Sequence, residues 1–280
     1  MKHKIFSLVI LTTILLNCLY TQREDDKRIT LIRVQGTMHF NVVVNENDGK
    51  DIFALTIPET IGCREGMVLN FPSTNIQWNG PDKDGVISVA WTTDSLISYY
   101  LIVVPEYDFV DVEMTISNLS AVSWHDVWSF NCLNPVSAKK FQDTLLRRTF
   151  MSTKNGPEIL SKTNRTIGPR PTIGVYFHEE TNNQTDFPFV NDFQATSPDR
   201  TNSNYLVTLS ETKNSYMAVT SPKTLFLFNN LEYKCIHSAP NFGDIDSGKS
   251  STLTCRFYFA KGNLQDFINR FKKEIDLLQN

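Results

Sequence analysis

Residues 233–262, YKCIHSAPNFGDIDSGKSSTLTCRFYFAKG, contain two strand patterns separated by a polar crossing. Alternation in the first pattern places the thiol of Cys235 and the imidazole of His237 on one face, and Pro240 is expected to end the pairing of this strand. The two side chains are therefore predicted to lie together at a strand end.

The second strand pattern separates apolar from polar side chains. Alternate residues are expected to face the core or to face away from it: Leu253, Cys255, Phe257 and Phe259 inward, and Thr254, Arg256 and Tyr258 outward. This stretch predicts a β-sheet with one packed face and one face that carries polar and aromatic groups.

Similar strand patterns cover most of the chain. They lie at residues 29–34, 38–44, 52–57, 68–71, 75–78, 86–93, 99–104, 110–117, 124–132, 147–151, 172–177, 205–209, 216–220 and 224–228. The pattern at 99–104 is apolar on both faces, which favours a central strand covered on both sides. In 124–132 the aromatic residues share one face, so His125 and Asn131 are predicted to belong to a polar strip on the other.

One confident helix is predicted, at the C-terminus. Asn263 and Asp266 fit a capping box, and apolar residues follow at helical spacing as far as Leu278. We expect this helix to pack its apolar face on a sheet. The patterns together predict an all-β, antiparallel two-sheet sandwich with one C-terminal helix, in a single domain over residues 23–280.

Residues 152–204 are a polar, proline-containing middle segment. Only 172–177 within it resembles a strand, and a loop of this length in a compact domain is usually functional or partly disordered. We therefore expect the middle segment to contribute to a binding site.

The N-terminus has the pattern of an export signal. Lys2 and Lys4 precede an apolar run at residues 5–16 that is too short to span a bilayer. We expect residues 1–22 to be a signal peptide and the mature protein to be periplasmic, at the cell surface or extracellular. Residues 15–18 loosely resemble a lipobox, so an N-terminal lipid anchor on Cys18 is an alternative to a soluble product. No later segment is apolar enough to cross a membrane.

Charge and cysteine content restrict the classes of partner and cofactor. The formal net charge of −3 becomes about −5 without the two lysines of the signal, so nucleic acid is not an expected partner. A Cys235–Cys255 disulfide and buried free thiols are both compatible with the pattern. Because no Cys-x-x-Cys pair exists, no metal site and no cofactor are predicted. The cysteines beyond the signal are Cys63, Cys132, Cys235 and Cys255.

Four segments resemble a family of uncharacterised exported bacterial β-proteins with a galactose-mutarotase-like supersandwich. They are 110–119, a strand pattern that runs into Asn-Leu-Ser; 126–135, DVWSFNCLNP; 141–150, with FQD and RRTF; and 235–262, which begins CIHSAP and ends AKG. The resemblance implies the supersandwich fold, and such domains commonly bind or process carbohydrate. The catalytic histidines and glutamate of the mutarotases have no matching positions in this chain, so the resemblance implies no epimerase site.

Three residues are predicted to form a catalytic centre: His237, Asp143 and Arg148. His237 is expected at a strand end, and the other two lie in aromatic surroundings where an unpaired charge is costly. We predict that they converge in a cleft roofed by the middle segment, with acid/base chemistry by a carboxylate and His237 if the chain is an enzyme. The alternatives are a hydrogen-bonded structural histidine and an Asp143–Arg148 ion pair that holds a loop.

Further polar side chains are predicted to contact the substrate: His125, Asn131, His178, Glu179, Asp186, Arg256 and Tyr258. A transition-metal site would require His178, His237 and a carboxylate to converge. Trp124, Trp128 and Tyr258 have the chemistry to stack on sugar rings, although tryptophan in a β-domain is more often part of the core.

The sequence therefore predicts an exported protein that binds or processes carbohydrate between the polar sheet face and the middle segment. As an enzyme it would be a lyase, an epimerase or a hydrolase. The alternative is a non-catalytic envelope or interaction protein that binds another protein through residues 152–204. The pattern indicates no oligomeric state.

Overall fold

The computed structural model describes residues 28–47, 49–70, 76–93, 96–165, 172–182, 187 and 195–278. The expected signal peptide, the lipobox-like Cys18 and the predicted substrate contact Asp186 lie outside these residues.

Sixteen strands form two antiparallel sheets that pack face to face. In chain order the strands are β1 (Ile29–Arg33), β2 (His39–Glu46), β3 (Gly49–Cys63), β4 (Gly66–Asn70), β5 (Ile87–Thr93), β6 (Ile97–Pro105), β7 (Phe109–Asn118), β8 (Trp124–Asn134), β9 (Thr149–Thr153), β10 (Gly156–Ile159), β11 (Ile173–Phe177), β12 (Tyr205–Leu209), β13 (Ser215–Thr220), β14 (Thr224–Asn230), β15 (Cys235–Ile245) and β16 (Ser250–Lys261). The first sheet has the order β1-β2-β3-β8-β15-β14-β11, with β4 paired to β3, and the second has the order β10-β9-β12-β13-β16-β7-β6-β5. The predicted all-β two-sheet sandwich is confirmed.

The main core fills the space between the two sheets. On β16 the inward side chains Cys255, Phe257 and Phe259 are at most 3% exposed, as the alternation predicts. The prediction that residues 99–104 form a central strand covered on both sides was wrong. β6 lies next to the edge strand β5, and its outward residue Tyr100 is 43% exposed.

Strand β15 is longer than predicted and lies at the centre of the first sheet. Pro240 does not end the pairing, because it pairs with Thr224 and the strand continues to Ile245. The ladder shifts register beside Thr224 and again beyond Asn241, and such bulges are where an inner strand tolerates proline. His237 therefore lies inside the sheet, between β8 and β14, and not at a strand end.

The C-terminal helix α1 (Leu264–Glu274) covers the outer face of the second sheet. Its first turn has the predicted capping box, in which Asn263 accepts from the backbone of Asp266 and the Asp266 carboxylate accepts from the backbone of Asn263. Phe267 and Phe271 pack against Tyr205 of β12, so the predicted docking on a sheet is confirmed. A 3-10 turn continues the chain over Ile275–Leu278. No helix within the described ranges is long and apolar enough to cross a membrane.

The middle segment has more structure than predicted. Besides β11, it contains the hairpin of β9 and β10 and a 3-10 turn at Leu160–Lys162. Arg200 donates to the carbonyl oxygens of His178 and Thr181 at 2.8 and 2.5 Å, and these bonds fix the bend after β11. The sequence missed β10 because Gly156 and Pro157 are poor strand formers.

Candidate functional site

Asp143 and Arg148 lie together, and both bond to the chain itself. The Asp143 carboxylate accepts from the backbone N–H groups of Arg147 and Arg148 and from the Thr149 hydroxyl. The Arg148 guanidinium donates to the carbonyl oxygens of Lys140, Gln142 and Leu209, and its Nε lies 3.9 Å from Asp143 Oδ1. These contacts match the structural alternative, in which an Asp143–Arg148 ion pair holds a loop. Their role in catalysis stays a prediction.

The outward residues of β16 face helix α1, not solvent. Arg256 and Tyr258 are only 8% and 1% exposed, which contradicts their predicted place on an open, substrate-binding face. We call the polar residues beneath the helix the arginine cluster: Asp108, Asp111, Arg256, Tyr258, Arg270 and Glu274.

Every charge of the arginine cluster has an opposite charge as its neighbour. Arg256 donates to both carboxylate oxygens of Asp111 at 2.7 Å and to Glu274 at 2.7 Å, and Arg270 forms a second bidentate pair with Asp108. Burial alone would lower the pKa of Arg256, but Asp111 raises it above the ordinary value. The cluster is complete without a ligand.

Two further predicted contacts, Asn131 and His125, lie on β8. Asn131 is fully buried between the sheets, where its amide donates to Met114 Sδ and Cys255 Sγ. At Asn131 the predicted polar strip of β8 therefore points into the main core, because Trp128 and Phe130 occupy the outer face of the first sheet. His125 is exposed and pairs with Glu65. Trp124, Trp128 and Tyr258 are too deeply buried to stack on a sugar.

The outer face of the first sheet contains two cysteines and a histidine in contact. Cys132 on β8 pairs directly with His237 on β15, and Cys235 is two residues from His237 on the same face. The two sulfur atoms and one ring nitrogen lie within 4.8 Å of one another, with 3.8 Å between Cys235 Sγ and His237 Nε2. We call these three residues the thiol–imidazole cluster. All three are at most 6% exposed.

The carboxylate of Glu59 lies next to the thiol–imidazole cluster. Glu59 lies in the bulge of β3, where the pairing with β8 shifts between Thr56 and Thr60. Its Oε2 is 3.2 Å from His237 Nε2, and its side chain is 22% exposed. The imidazole is held between aromatic rings, stacked on Phe130 at 4.4 Å and against the edge of Phe228 at 4.9 Å. Its Nδ1 is buried without a hydrogen-bond partner in the described part of the chain.

The groups of this cluster change one another's acidity. A hydrogen bond from Cys132 lowers the pKa of Cys235 to about 5, whereas the same bond and burial raise that of Cys132. Burial would lower the pKa of His237, but Cys235 and Glu59 raise it to about 10. The Cys235 thiol is thus made more acidic and the His237 imidazole more basic by their contact.

The four cysteines resolve one alternative left open by the sequence. All are buried free thiols, and Cys235 and Cys255 belong to different sheets. The Cys235–Cys255 disulfide is therefore absent, and buried free thiols are the arrangement that the structure has.

His178 lies in a different place, on the wall of an open cleft of about 500 Å³. We call it the His178 cleft; its lining is His178, Glu180, Asn204, Pro222, Lys223, Asn241, Phe242, Ser251, Thr252, Leu253 and Leu278. These residues come from the bend after β11, the residue before β12, the β13–β14 turn, β15, β16 and the C-terminal 3-10 turn. His178 and His237 are therefore not partners in one metal site.

The His178 imidazole is a neutral donor. Burial lowers its pKa, and its Nδ1 accepts from the backbone N–H of Glu180 at 3.3 Å. The ring proton is therefore on Nε2. The Glu180 carboxylate lies 3.9 Å from Nδ1 with 80% of its side chain exposed. Lys223 supplies a cation and Phe242 an apolar surface in the same cleft.

Glu179 belongs to a neighbouring cleft of about 550 Å³. This second cleft is lined by Thr153, Lys154, Asn155, Glu158, Lys162, Asn164, Glu179, Pro198, Asp199 and Arg200. The adjacent residues Glu179 and Glu180 thus line different clefts. The sequence indicated His178 and Glu179 but missed Lys223 and Asn241, because the strands that carry them become neighbours only in the folded sheet.

No protein-family model and no curated protein sequence matches the chain. Among solved structures, the Slr1438 protein of Synechocystis sp. PCC 6803 aligns with a TM-score of 0.50 at 6% identity, over 84% of this chain and 96% of that one. A galactose mutarotase related enzyme from Lactobacillus acidophilus aligns with a TM-score of 0.46 at 8% identity, over 84% and 98% of the two chains. A galactose mutarotase-like protein from Lactobacillus casei aligns with 0.47 at 7% identity, over 82% and 99%.

These alignments concern the fold alone, because the identities are far below those that indicate shared activity. The alignment with the Slr1438 protein, at a TM-score of 0.50, supports a shared fold and no more.

Proposed function

We propose that this chain is a carbohydrate-binding protein and that the sugar occupies the His178 cleft. The observation that carries the proposal is the cleft itself: about 500 Å³ with a neutral imidazole donor, a carboxylate, an ammonium group and an aromatic surface on its walls. A cavity of this size is within the range of small-molecule sites. A sugar presents hydroxyl groups that both donate and accept, together with apolar C–H faces, and this lining matches both.

The available hydrogen-bonding groups are few and well defined. Asn204 is already used, since its amide bonds to Pro222 and Thr224. His178 Nε2, the Glu180 carboxylate and the Lys223 ammonium group are the groups we assign to the sugar hydroxyls. Arg200 supports the site from behind, because it holds the carbonyl oxygens on both sides of Glu180.

Export belongs to the same proposal. Its support is the sequence of the N-terminus, where two lysines precede the apolar run at 5–16. N-terminal sequencing of the protein from its native host tests it: we expect a chain that begins near residue 23, or at a lipidated Cys18. A cell-associated chain that retains Met1 would overturn export without affecting the cleft.

The adjacent glutamates provide a matched test of sugar binding. The full chain is screened on a glycan array, and the affinity for the best glycan is then measured by calorimetry for the Glu180→Gln and Glu179→Gln variants. A hydrogen bond to a charged group contributes about 1.5–3 kcal/mol, so Glu180→Gln should weaken binding about 10- to 100-fold. Glu179→Gln, in the other cleft, should leave the affinity unchanged.

An array without any retained glycan would contradict the proposal, and so would equal affinities of the two variants. A reducing-sugar assay on the same glycan separates processing from binding alone. Retention of another protein through residues 152–204 in the absence of glycan binding would favour the interaction alternative.

A further inference from the structure

The thiol–imidazole cluster is not used by the proposed function, since it lies on the outer face of the first sheet and the His178 cleft has a different lining. Its donor set is unusual for a structural core: two sulfur atoms, one imidazole nitrogen and a neighbouring carboxylate. Nε2 of the histidine is the nitrogen that lies near Cys235 Sγ and Glu59 Oε2, so the imidazole presents a ligand atom to these groups.

The distances suit a tetrahedral metal centre. With metal–sulfur bonds of about 2.3 Å and metal–nitrogen or –oxygen bonds of about 2.0–2.2 Å, the donor atoms of a tetrahedral zinc site are about 3.3–3.8 Å apart. Cys235 Sγ and His237 Nε2 are separated by 3.8 Å, and His237 Nε2 and Glu59 Oε2 by 3.2 Å. These two distances are near the spacing that one shared cation requires, and both sulfur atoms lie within 4.8 Å of each other and of the ring nitrogen.

A disulfide between the two cysteines fits the register less well. Cys132 pairs with His237, so Cys235 is its diagonal neighbour across the strands. Diagonal neighbours in an antiparallel sheet have Cα atoms about 7–8 Å apart, whereas disulfide-bonded cysteines usually have Cα atoms about 4.4–6.8 Å apart. A cation that bridges the sulfur atoms needs no such approach of the backbones.

We propose that the thiol–imidazole cluster, with Glu59 as fourth ligand, binds one divalent cation, and that this cation is Zn²⁺. Thiolate and imidazole ligands together favour zinc over magnesium and calcium, which prefer oxygen. The ligands are on three neighbouring central strands, and the Phe130 ring fixes the imidazole plane. Glu59 is the most exposed of the four, so the ion enters from its side.

Four closed protein ligands leave no position for a substrate, so the site is structural. It ties β3, β8 and β15 together across the register shift of β3. The sequence predicted no metal site because it lacks a Cys-x-x-Cys pair. Glu59, Cys132 and the segment with Cys235 and His237 are far apart in sequence and become neighbours only through the pairing of β3, β8 and β15.

The test uses the full chain, purified without a chelator and kept reduced. Metal content is measured first, and the protein is then titrated with Co²⁺ as a spectroscopic substitute for Zn²⁺. We expect one equivalent of metal and a thiolate-to-cobalt charge-transfer band. Cys132→Ser and Cys235→Ser should each weaken the band, since one thiolate remains, and should bind at least about 100-fold more weakly; Glu59→Gln should bind about 10-fold more weakly.

Cys255→Ser is the matched control, since Cys255 is an equally buried free thiol in the main core. It should keep the band at full intensity. X-ray absorption spectra of the zinc-loaded wild-type chain need no variant and should show a first shell of two sulfur and two nitrogen or oxygen atoms. A shell without sulfur, a band that depends on Cys255, or a Cys132–Cys235 disulfide in a second preparation purified without reductant would overturn the proposal.

Discussion

The arginine cluster and the thiol–imidazole cluster are both buried polar groups on the outer face of a sheet, yet they differ in how complete they are. At α1, Arg256 and Arg270 form bidentate bonds of 2.7–3.0 Å with Asp111 and Asp108, and both guanidinium groups also donate to Glu274. On the first sheet, two sulfur atoms and a carboxylate surround one imidazole, one nitrogen of which has no partner in the described chain. The first arrangement is a finished structural element, and the second has the composition of a ligand set.

This difference distinguishes side chains that stabilise the fold from side chains that are available to bind a ligand. Buried charge must be neutralised, and the chain does this in one place with its own residues. The same criterion distinguishes Asp143, whose carboxylate bonds only to its own loop, from Glu180, whose carboxylate is exposed in a cleft.

Removal of residues 263–280, which deletes α1 and its part of the arginine cluster, should lower the free energy of unfolding more than any single substitution in either cluster. It exposes the aromatic face of the second sheet and leaves Arg256 without Glu274. Three buried side chains, Phe267, Ile268 and Phe271, contribute about 1.5–3 kcal/mol each, which together approaches the whole stability of a typical domain. Circular dichroism with urea should show a chain that is unfolded or nearly so. A truncated chain within about 1 kcal/mol of the intact one would contradict the structural role of α1.

Arg256→Met tests the arginine cluster without removing its cover. The change leaves the partly buried Asp111 without its cation, so the free energy of unfolding should fall by about 3 kcal/mol. Urea denaturation measures it, with the exposed Arg147→Met as a control that should stay within about 0.5 kcal/mol. If both variants lost the same amount, the cluster would not be the structural element described above.

His237→Gln, measured with a chelator present, should cost less than Arg256→Met. The histidine has no partner for Nδ1, and Glu59 is exposed enough to regain water, so we expect a loss of roughly 1–2 kcal/mol. The added stability that zinc gives the wild-type chain should vanish in this variant. A metal-free loss as large as that of Arg256→Met would show that the two clusters have the same role.

Acid should weaken the arginine cluster through Glu274. Burial would raise the pKa of this carboxyl group, but hydrogen bonds from Arg270 and Tyr258 hold it below its ordinary value. A group with a lowered folded-state pKa stabilises the fold fully above its unfolded pKa of about 4.3, and this contribution is lost as pH falls through the folded-state pKa. Glu274→Gln should therefore flatten the decline of stability below about pH 4, and an unchanged slope in thermal unfolding would contradict this.

The elements that were predicted correctly depend on neighbours in sequence. The capping box of α1 needs only residues 263–266, and the inward and outward faces of β16 follow from alternation. The errors arose where tertiary pairing matters: β15 passes through Pro240 because of bulges, and the outward face of β16 is covered by a helix that arrives later in the chain.

The candidate sites also combine residues that the sequence indicated with residues that only tertiary structure brings together. His178 was indicated by its polar segment, but the cleft that it lines is assembled from six separate parts of the chain. Cys235 and His237 were predicted to share a face, and they do so. Cys132 joins them only because β8 and β15 pair in one particular register, which no local pattern specifies.

Anomalous X-ray diffraction at the zinc absorption edge, from crystals of the full chain grown with one equivalent of Zn²⁺, tests the central distinction most directly. We predict one strong peak at bonding distance from the sulfur atoms of Cys132 and Cys235 and from Nε2 of His237, and none at the arginine cluster. Zinc found only at surface carboxylates, with the two sulfur atoms free of metal, would contradict the account.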